Sequence, residues 1–288
     1  MIIDSHCHVG EFPHHFPESF AADMMNSIGQ PAAAITVHIP RLLADLDAAG
    51  IDKVFILAFD AYRTLGAKVP DEYVADLCRA HPDRLIGFCS VDGMAPSAAQ
   101  AVRHAILDLG LQGIKIAPAY LHLSPSDPCW YGVYEVAQEL AVPILVHTGF
   151  TPAKQAGKQY MSPMLMSKAA SDFPRLRFIL AHMGTPWVTQ CIDLLAKHAN
   201  LYADLSIFGW YQPIERVAQT LSHARKCGVL NRVLWGTDFP WGPHRGFRER
   251  MDQLRQDATL FPDQQALTEL EWSQIMGATA LQLVHPQV

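Results

Sequence analysis

Ile2-Ile3-Asp4-Ser5-His6-Cys7-His8 opens the chain with an apolar run that ends in two histidines two residues apart. Side chains at i and i+2 share one face of a strand, so His6 and His8 point together and Cys7 points away. The same pattern returns three times. Pro143-Ile144-Leu145-Val146 runs into His147, Phe178-Ile179-Leu180-Ala181 into His182, and Val233-Leu234-Trp235-Gly236-Thr237 into Asp238. A polar, metal-competent side chain at the exit of a buried strand is where a parallel barrel places its active site.

Eight short apolar runs lie along the chain: 2–7, 53–59, 85–91, 113–117, 143–147, 177–181, 201–205 and 232–235. Most are continuous Val/Ile/Leu/Phe runs and not alternating ones, as expected of parallel strands covered on both faces. Segments of helical period separate them, at 41–50, 71–80, 97–110, 127–141, 162–173, 185–198, 213–227 and 246–260. Strand and helix alternate through eight cycles without a break in composition. The reading is α/β, a single-domain (β/α)8 TIM barrel over residues 1–288, with one or two extra C-terminal helices in 263–284. Residues 10–40 are long for a strand-to-helix connection, and are read as a loop over the barrel mouth.

Composition narrows the function. A net charge of −6 without a basic stripe argues against nucleic acid as a partner. No apolar run approaches the ~20 residues a membrane span needs. Six scattered cysteines form no C-x-x-C pair, and the chain begins directly on a strand. Both suit a cytoplasmic protein with reduced thiols that acts on a small molecule.

A lone histidine at a strand end is more often structural. Four histidines and an aspartate at four separate strand exits carry the functional reading instead. In a closed eight-stranded barrel the last strand pairs with the first, so Asp238 lands beside His6 and His8, with His147 across the mouth. The result is a His3Asp set with room for water, the open type of site that catalysis needs. Asp4 and Asp204 are read as acceptors that orient the histidines. Lys115, inside the fourth strand, needs a partner. An anionic substrate group and an internal carboxylate both remain open for it.

Asp4-Ser5-His6-Cys7-His8, VHTG at 146–149, AHMG at 181–184 followed by Pro186-Trp187, YADLS at 202–206 and GTDFP at 236–240 together resemble the amidohydrolase superfamily. The nearest branch is the amidohydrolase-related group that includes aminocarboxymuconate semialdehyde decarboxylase. The resemblance implies one divalent ion, Zn2+ first and Mn2+ second, on His6, His8, His147 and Asp238. It implies that His182 sits by the metal-bound water as base or electrophile, with Asp238 as proton shuttle. It also allows a homodimer and, as in binuclear relatives, a third role for Lys115 as a carboxylated bridge between two metals.

Tyr120, Trp187, Trp210 and Trp241 follow strand exits and read as aromatic walls of a substrate pocket. Arg245 reads as the carboxylate clamp. These features together predict a metal-dependent hydrolase of a small carboxylated lactone, ester or amide. The alternative is a non-oxidative decarboxylase of an unsaturated or aromatic acid; a non-catalytic binding barrel comes third. Several decarboxylase relatives carry Glu-x-His on the first strand and an arginine soon after the fifth-strand histidine. This chain has His6-x-His8 and Thr148-Gly149-Phe150 at those places, which favours hydrolysis at the level of sequence.

Overall fold

The computed structural model describes residues 1–285. Ten strands form in chain order: β1 (Ile3–His8), β2 (Lys53–Leu57), β3 (Phe59–Ala61), β4 (Ala67–Val69), β5 (Leu85–Ser90), β6 (Gly113–Ile116), β7 (Ile144–Val146), β8 (Phe178–Leu180), β9 (Leu201–Asp204) and β10 (Val233–Leu234). Eight of them make one parallel sheet in the order β1-β2-β5-β6-β7-β8-β9-β10. The sheet closes where the chain after β10 meets β1. Ser5 N donates to Trp235 O at 3.1 Å, Asp238 N to His6 O at 2.8 Å and His8 N to Phe239 O at 2.8 Å. The eight apolar runs are the eight barrel strands.

The barrel strands are buried on both faces along most of their length, which explains why the runs do not alternate. Ile3, Phe55, Leu57, Phe88, Leu145, Ile179 and Leu234 fill the barrel interior. Val54, Ile56, Ile114, Val146 and Val233 belong to the outer layer, against the helices. Truncating a core phenylalanine such as Phe88 costs about 3–5 kcal/mol. The C-terminal segment forms Glu269–Ser273, Gln274–Ala278 and Thr279–Val284. Ala280 and Leu283 join the interior cluster and stop the barrel at the end opposite the site.

Two stretches depart from the sequence reading. Phe59 is not the end of the second strand; it begins an antiparallel hairpin, β3 with β4, beyond Leu57. Residues 10–40 are not an irregular loop. They hold a helix over Glu18–Asn26, a 3-10 turn over Ala32–Ile35 and the start of the helix Ile39–Ala49. The helix Glu18–Asn26 buries Phe20, Ala21, Met24 and Met25, a spacing of one and four residues that a helix places on one side.

The turn that carries Asp238 is tight. Asp238 has φ +59°, in the left-handed region that non-glycine residues seldom adopt. A Cβ on Gly242 would lie 2.1 Å from the Thr237 carbonyl oxygen, a rigid backbone atom. Gly242→Ala should therefore cost about 1–3 kcal/mol, read by urea unfolding. A change within 0.5 kcal/mol of zero on the same axis would mean that the turn has slack.

Candidate metal centre

Each functional side chain stands at the C-terminal end of a barrel strand. His6 and His8 lie on β1, where the register with β2 shifts between Asp4 and Cys7. Cys7 turns outward into the helix-facing layer. His6 Nε2 and His8 Nε2 each lie 3.1 Å from the same oxygen, Asp238 Oδ1. Neither contact is aligned as a hydrogen bond, and Oδ1 is left without a hydrogen-bond partner although buried. The three residues bring ligand atoms within 4.8 Å of one another.

His147 follows β7 and is not part of that tight trio. Its Nε2 is buried with no hydrogen-bond partner, and its ring centroid lies 5.2 Å from His182 and 4.9 Å from Tyr120. Orphaned buried nitrogens and carboxylate oxygens are costly unless something pairs with them. Several imidazole nitrogens and one carboxylate oxygen converging without shared protons fit a divalent cation. His6, His8, His147 and Asp238 are the residues that could hold it.

Electrostatics agrees. Burial, then Lys115, holds His6 well below the usual histidine range. Burial also lowers His8. For His147 burial leads, with His182 and Lys115 adding to the downward shift. Burial pushes Asp238 up, but His6, His182 and His8 outweigh it and hold the carboxylate ionised. Neutral imidazoles beside an ionised carboxylate are the protonation states that metal binding requires. Lys115 is 1% exposed and its Nζ lies 3.1 Å from His6 Nε2. Burial pushes its ammonium down to about 8, against the opposing pull of Asp238 and Asp204.

A second group, His6, His182 and Asp204, also has ligand atoms within 4.8 Å. Here the atoms are already engaged: His6 Nδ1 lies 2.9 Å from Asp204 Oδ2, and His182 Nδ1 2.7 Å from Ser206 Oγ. This group is a hydrogen-bond network that orients the rings. Asp4 does comparable work on the other side. It accepts from His6 N at 3.0 Å, Thr237 N at 2.9 Å and Thr237 Oγ1 at 2.5 Å.

Two joined chambers open onto these residues. The inner one, about 30 Å3, is bounded by His8, Lys115, His147, His182 and Asp238 below and by Phe16, Phe20, Met24, Ile35 and Phe59 above. That is room for an ion and a water. The outer one, about 210 Å3, is lined by Met24, Ile28, Phe150, Thr151, Ile207, Tyr211 and Trp241. Tyr120 and Trp241 border both.

Three expected substrate contacts are corrected. Arg245 lies on the outer face of the helix His244–Gln256, with its side chain 75% exposed and paired with Glu249 at 2.9 Å. Trp187 packs part-buried against the outer core. Trp210 lies 6.4 Å from Phe247, under the Arg250 guanidinium. None of the three lines either chamber. The sequence reading missed Phe16, Phe20, Met24 and Ile35, and the helical spacing of Phe20 and Met24 was the signal that could have found two of them.

A family model described as Amidohydrolase matches residues 3–285, and the chain belongs to that family. The chain is 27% identical over 186 residues to 2-keto-4-carboxy-3-hexenedioate hydratase of Sphingobium sp. (strain NBRC 103272 / SYK-6), covering 58% of this chain and 52% of the hydratase. It is 28% identical over 134 residues to 2-amino-3-carboxymuconate-6-semialdehyde decarboxylase of Dictyostelium discoideum, covering 41% and 37%. The matched stretches thus span about half, or less, of these relatives. Among solved structures, 5-carboxyvanillate decarboxylase of Novosphingobium aromaticivorans, complexed with manganese and 4-hydroxy-3-methoxy-5-nitrobenzoic acid, has a TM-score of 0.73 at 15% identity. That match covers 99% of this chain and 96% of the other, a likeness of fold. No helix among the described residues is long and apolar enough to cross a membrane.

The lowered histidines set the pH response of the metal-free protein. Their folded values lie below 6.5 and their unfolded values near it, so acid protonates the unfolded chain first. Stability is intact above about pH 6.5 and falls as pH drops through that value. The melting temperature of chelator-treated protein should decline from pH 7.5 to 5.5. Replacing His6, His8 and His147 together by glutamine should remove most of that slope; an unchanged slope would place the titration elsewhere.

Proposed function

We propose that this protein is a metal-dependent carboxy-lyase that releases CO2 from a small planar acid, unsaturated or aromatic. The observation that carries this reading is the charge pattern of the pocket. Lys115 is the one lysine or arginine among the described residues lining the two chambers, and it lies at the inner end beside the ligand cluster. The outer walls are mainly apolar and aromatic. A single carboxylate directed inward, with a flat unsaturated body outward, matches that polarity. A second carboxylate placed outward would find no cation. The relatives' names support the choice, since each specifies a carboxylated substrate and two specify decarboxylation. The order of preference drawn from the sequence is thereby reversed.

His6, His8, His147 and Asp238 would hold a divalent cation, which would supply positive charge toward the substrate carboxylate. The donor set suits Zn2+ and Mn2+ alike. The chain's residues do the rest. Lys115 adds a second positive charge at the inner end. The apolar walls exclude water, and a carboxylate stripped of water is costlier than the neutral CO2 it becomes. When the carbon–carbon bond breaks, its electron pair stays on the substrate carbon. His182, which borders both chambers, delivers a proton to that carbon and is reprotonated from solvent. Hydrolysis is the second reading, favoured by the inner chamber's room for a water beside the ligand cluster.

A panel of 13C-carboxyl-labelled benzoates, muconates and pyrones, run on protein loaded with Mn2+ or Zn2+, separates the two. The expected product is labelled CO2 in step with substrate loss. Acid release with 18O from water in the product, and no CO2, would establish hydrolysis instead. His147→Ala and Asp238→Asn should each lose both turnover and retained metal, measured by elemental mass spectrometry. Full metal content in either variant would remove that residue from the ligand set.

A further inference from the structure

The hydrogen-bond network under the ligand cluster determines which nitrogen of His182 faces the reaction. Asp204, fully buried at the end of β9, receives four contacts. Its Oδ2 faces His6 Nδ1 at 2.9 Å. Its Oδ1 accepts from His182 N at 2.9 Å and Ser206 N at 3.0 Å, and from the Ser206 hydroxyl. Oδ1 already takes two backbone N–H groups, and so accepts from the Ser206 hydroxyl as well. The single hydroxyl hydrogen of Ser206 is therefore committed to Asp204, and Ser206 Oγ also lies 3.2 Å from His6 Nδ1. His182 Nδ1, 2.7 Å from Ser206 Oγ, must supply the hydrogen in that contact.

Backbone geometry reinforces the arrangement. His182 and Met183 have φ of +61° and +49°, a conformation disfavoured for side chains with a Cβ. It is held by the His182 amide on Asp204 and by Thr185, whose Oγ1 donates to His182 O at 2.7 Å. Strain of this kind persists only where surrounding contacts over-determine it.

We propose that Ser206 is a positioning residue: by accepting from His182 Nδ1 while donating to Asp204, it makes Nε2 the nitrogen through which His182 exchanges protons with the substrate. The proposal rests on the reading of His182 as proton donor. Its tautomer component stands apart from the reaction. With Nδ1–H fixed, Nε2 alone gains or loses the proton. Without the Ser206 oxygen, Nδ1–H loses its acceptor and the ring is free to carry its hydrogen on Nε2.

The test uses Zn2+-loaded protein with 15N-labelled histidine, His182 being assigned by comparison with His182→Gln. In the wild type, the His182 shifts should report a protonated Nδ1 and a lone pair on Nε2. Ser206→Ala should shift the ring to a tautomer mixture, and Ser206→Thr should restore the wild-type signature. Turnover of Ser206→Ala should fall roughly 10- to 100-fold in kcat, with KM and zinc content unchanged, and threonine should rescue it. Ser206→Cys, with a weaker donor and acceptor, replaces alanine if that variant does not fold. A Nδ1–H tautomer unchanged in Ser206→Ala overturns the proposal. If no acid on the panel turns over, the nitrogen shifts still decide the role of Ser206, while the carboxy-lyase reading fails separately.

Discussion

The arrangement depends on one buried carboxylate, Asp4, which joins the first strand to the last. It takes the amide of His6 on its own strand and both the amide and hydroxyl of Thr237 on the far side of the seam. Because Thr237 precedes Asp238, this clamp sets the Asp238 carboxylate against the histidines of β1. Barrel closure and site assembly are thus one event. The polar atoms involved are buried and mutually satisfied, the condition under which such a network rigidifies a core instead of weakening it.

The second organising feature is the division of labour between charge and apolar wall. Below the mouth stand His8, His147, Asp238 and Lys115; above it lie Phe16, Phe20, Met24, Ile35 and Phe59. Burial keeps the imidazoles neutral and the low dielectric strengthens whatever charge is retained. The segment covering the mouth is itself tied down, through Trp241 Nε1 to Met24 O at 3.3 Å and Lys154 Nζ to Asp23 at 2.7 Å.

The barrel was legible in the sequence because buried parallel strands leave continuous apolar runs, and each run here became a strand. The polar exits of four of those runs come together at one end of the barrel for the same reason. Direction was harder to read. Trp187 and Trp210 follow strand exits, yet aromaticity does not say which way a ring turns, and both pack outward. Arg245 was misplaced because the helix begins at His244, two residues before the predicted start; Arg245 then falls on the solvent face, four residues from Glu249, while His244 turns inward to 3.3 Å from Asp4. The cover over the mouth was hidden by the clustered proline, histidine and phenylalanine of residues 10–40, which masked a two-turn amphipathic helix.

Anomalous diffraction at the manganese edge, from crystals of the Mn2+-loaded protein, tests the central claim most directly. The account predicts one peak per chain, bounded by His6, His8, His147 and Asp238, with Lys115 unmodified beside it. A well-occupied ion elsewhere, or a second ion bridged by a carboxylated Lys115, would contradict it.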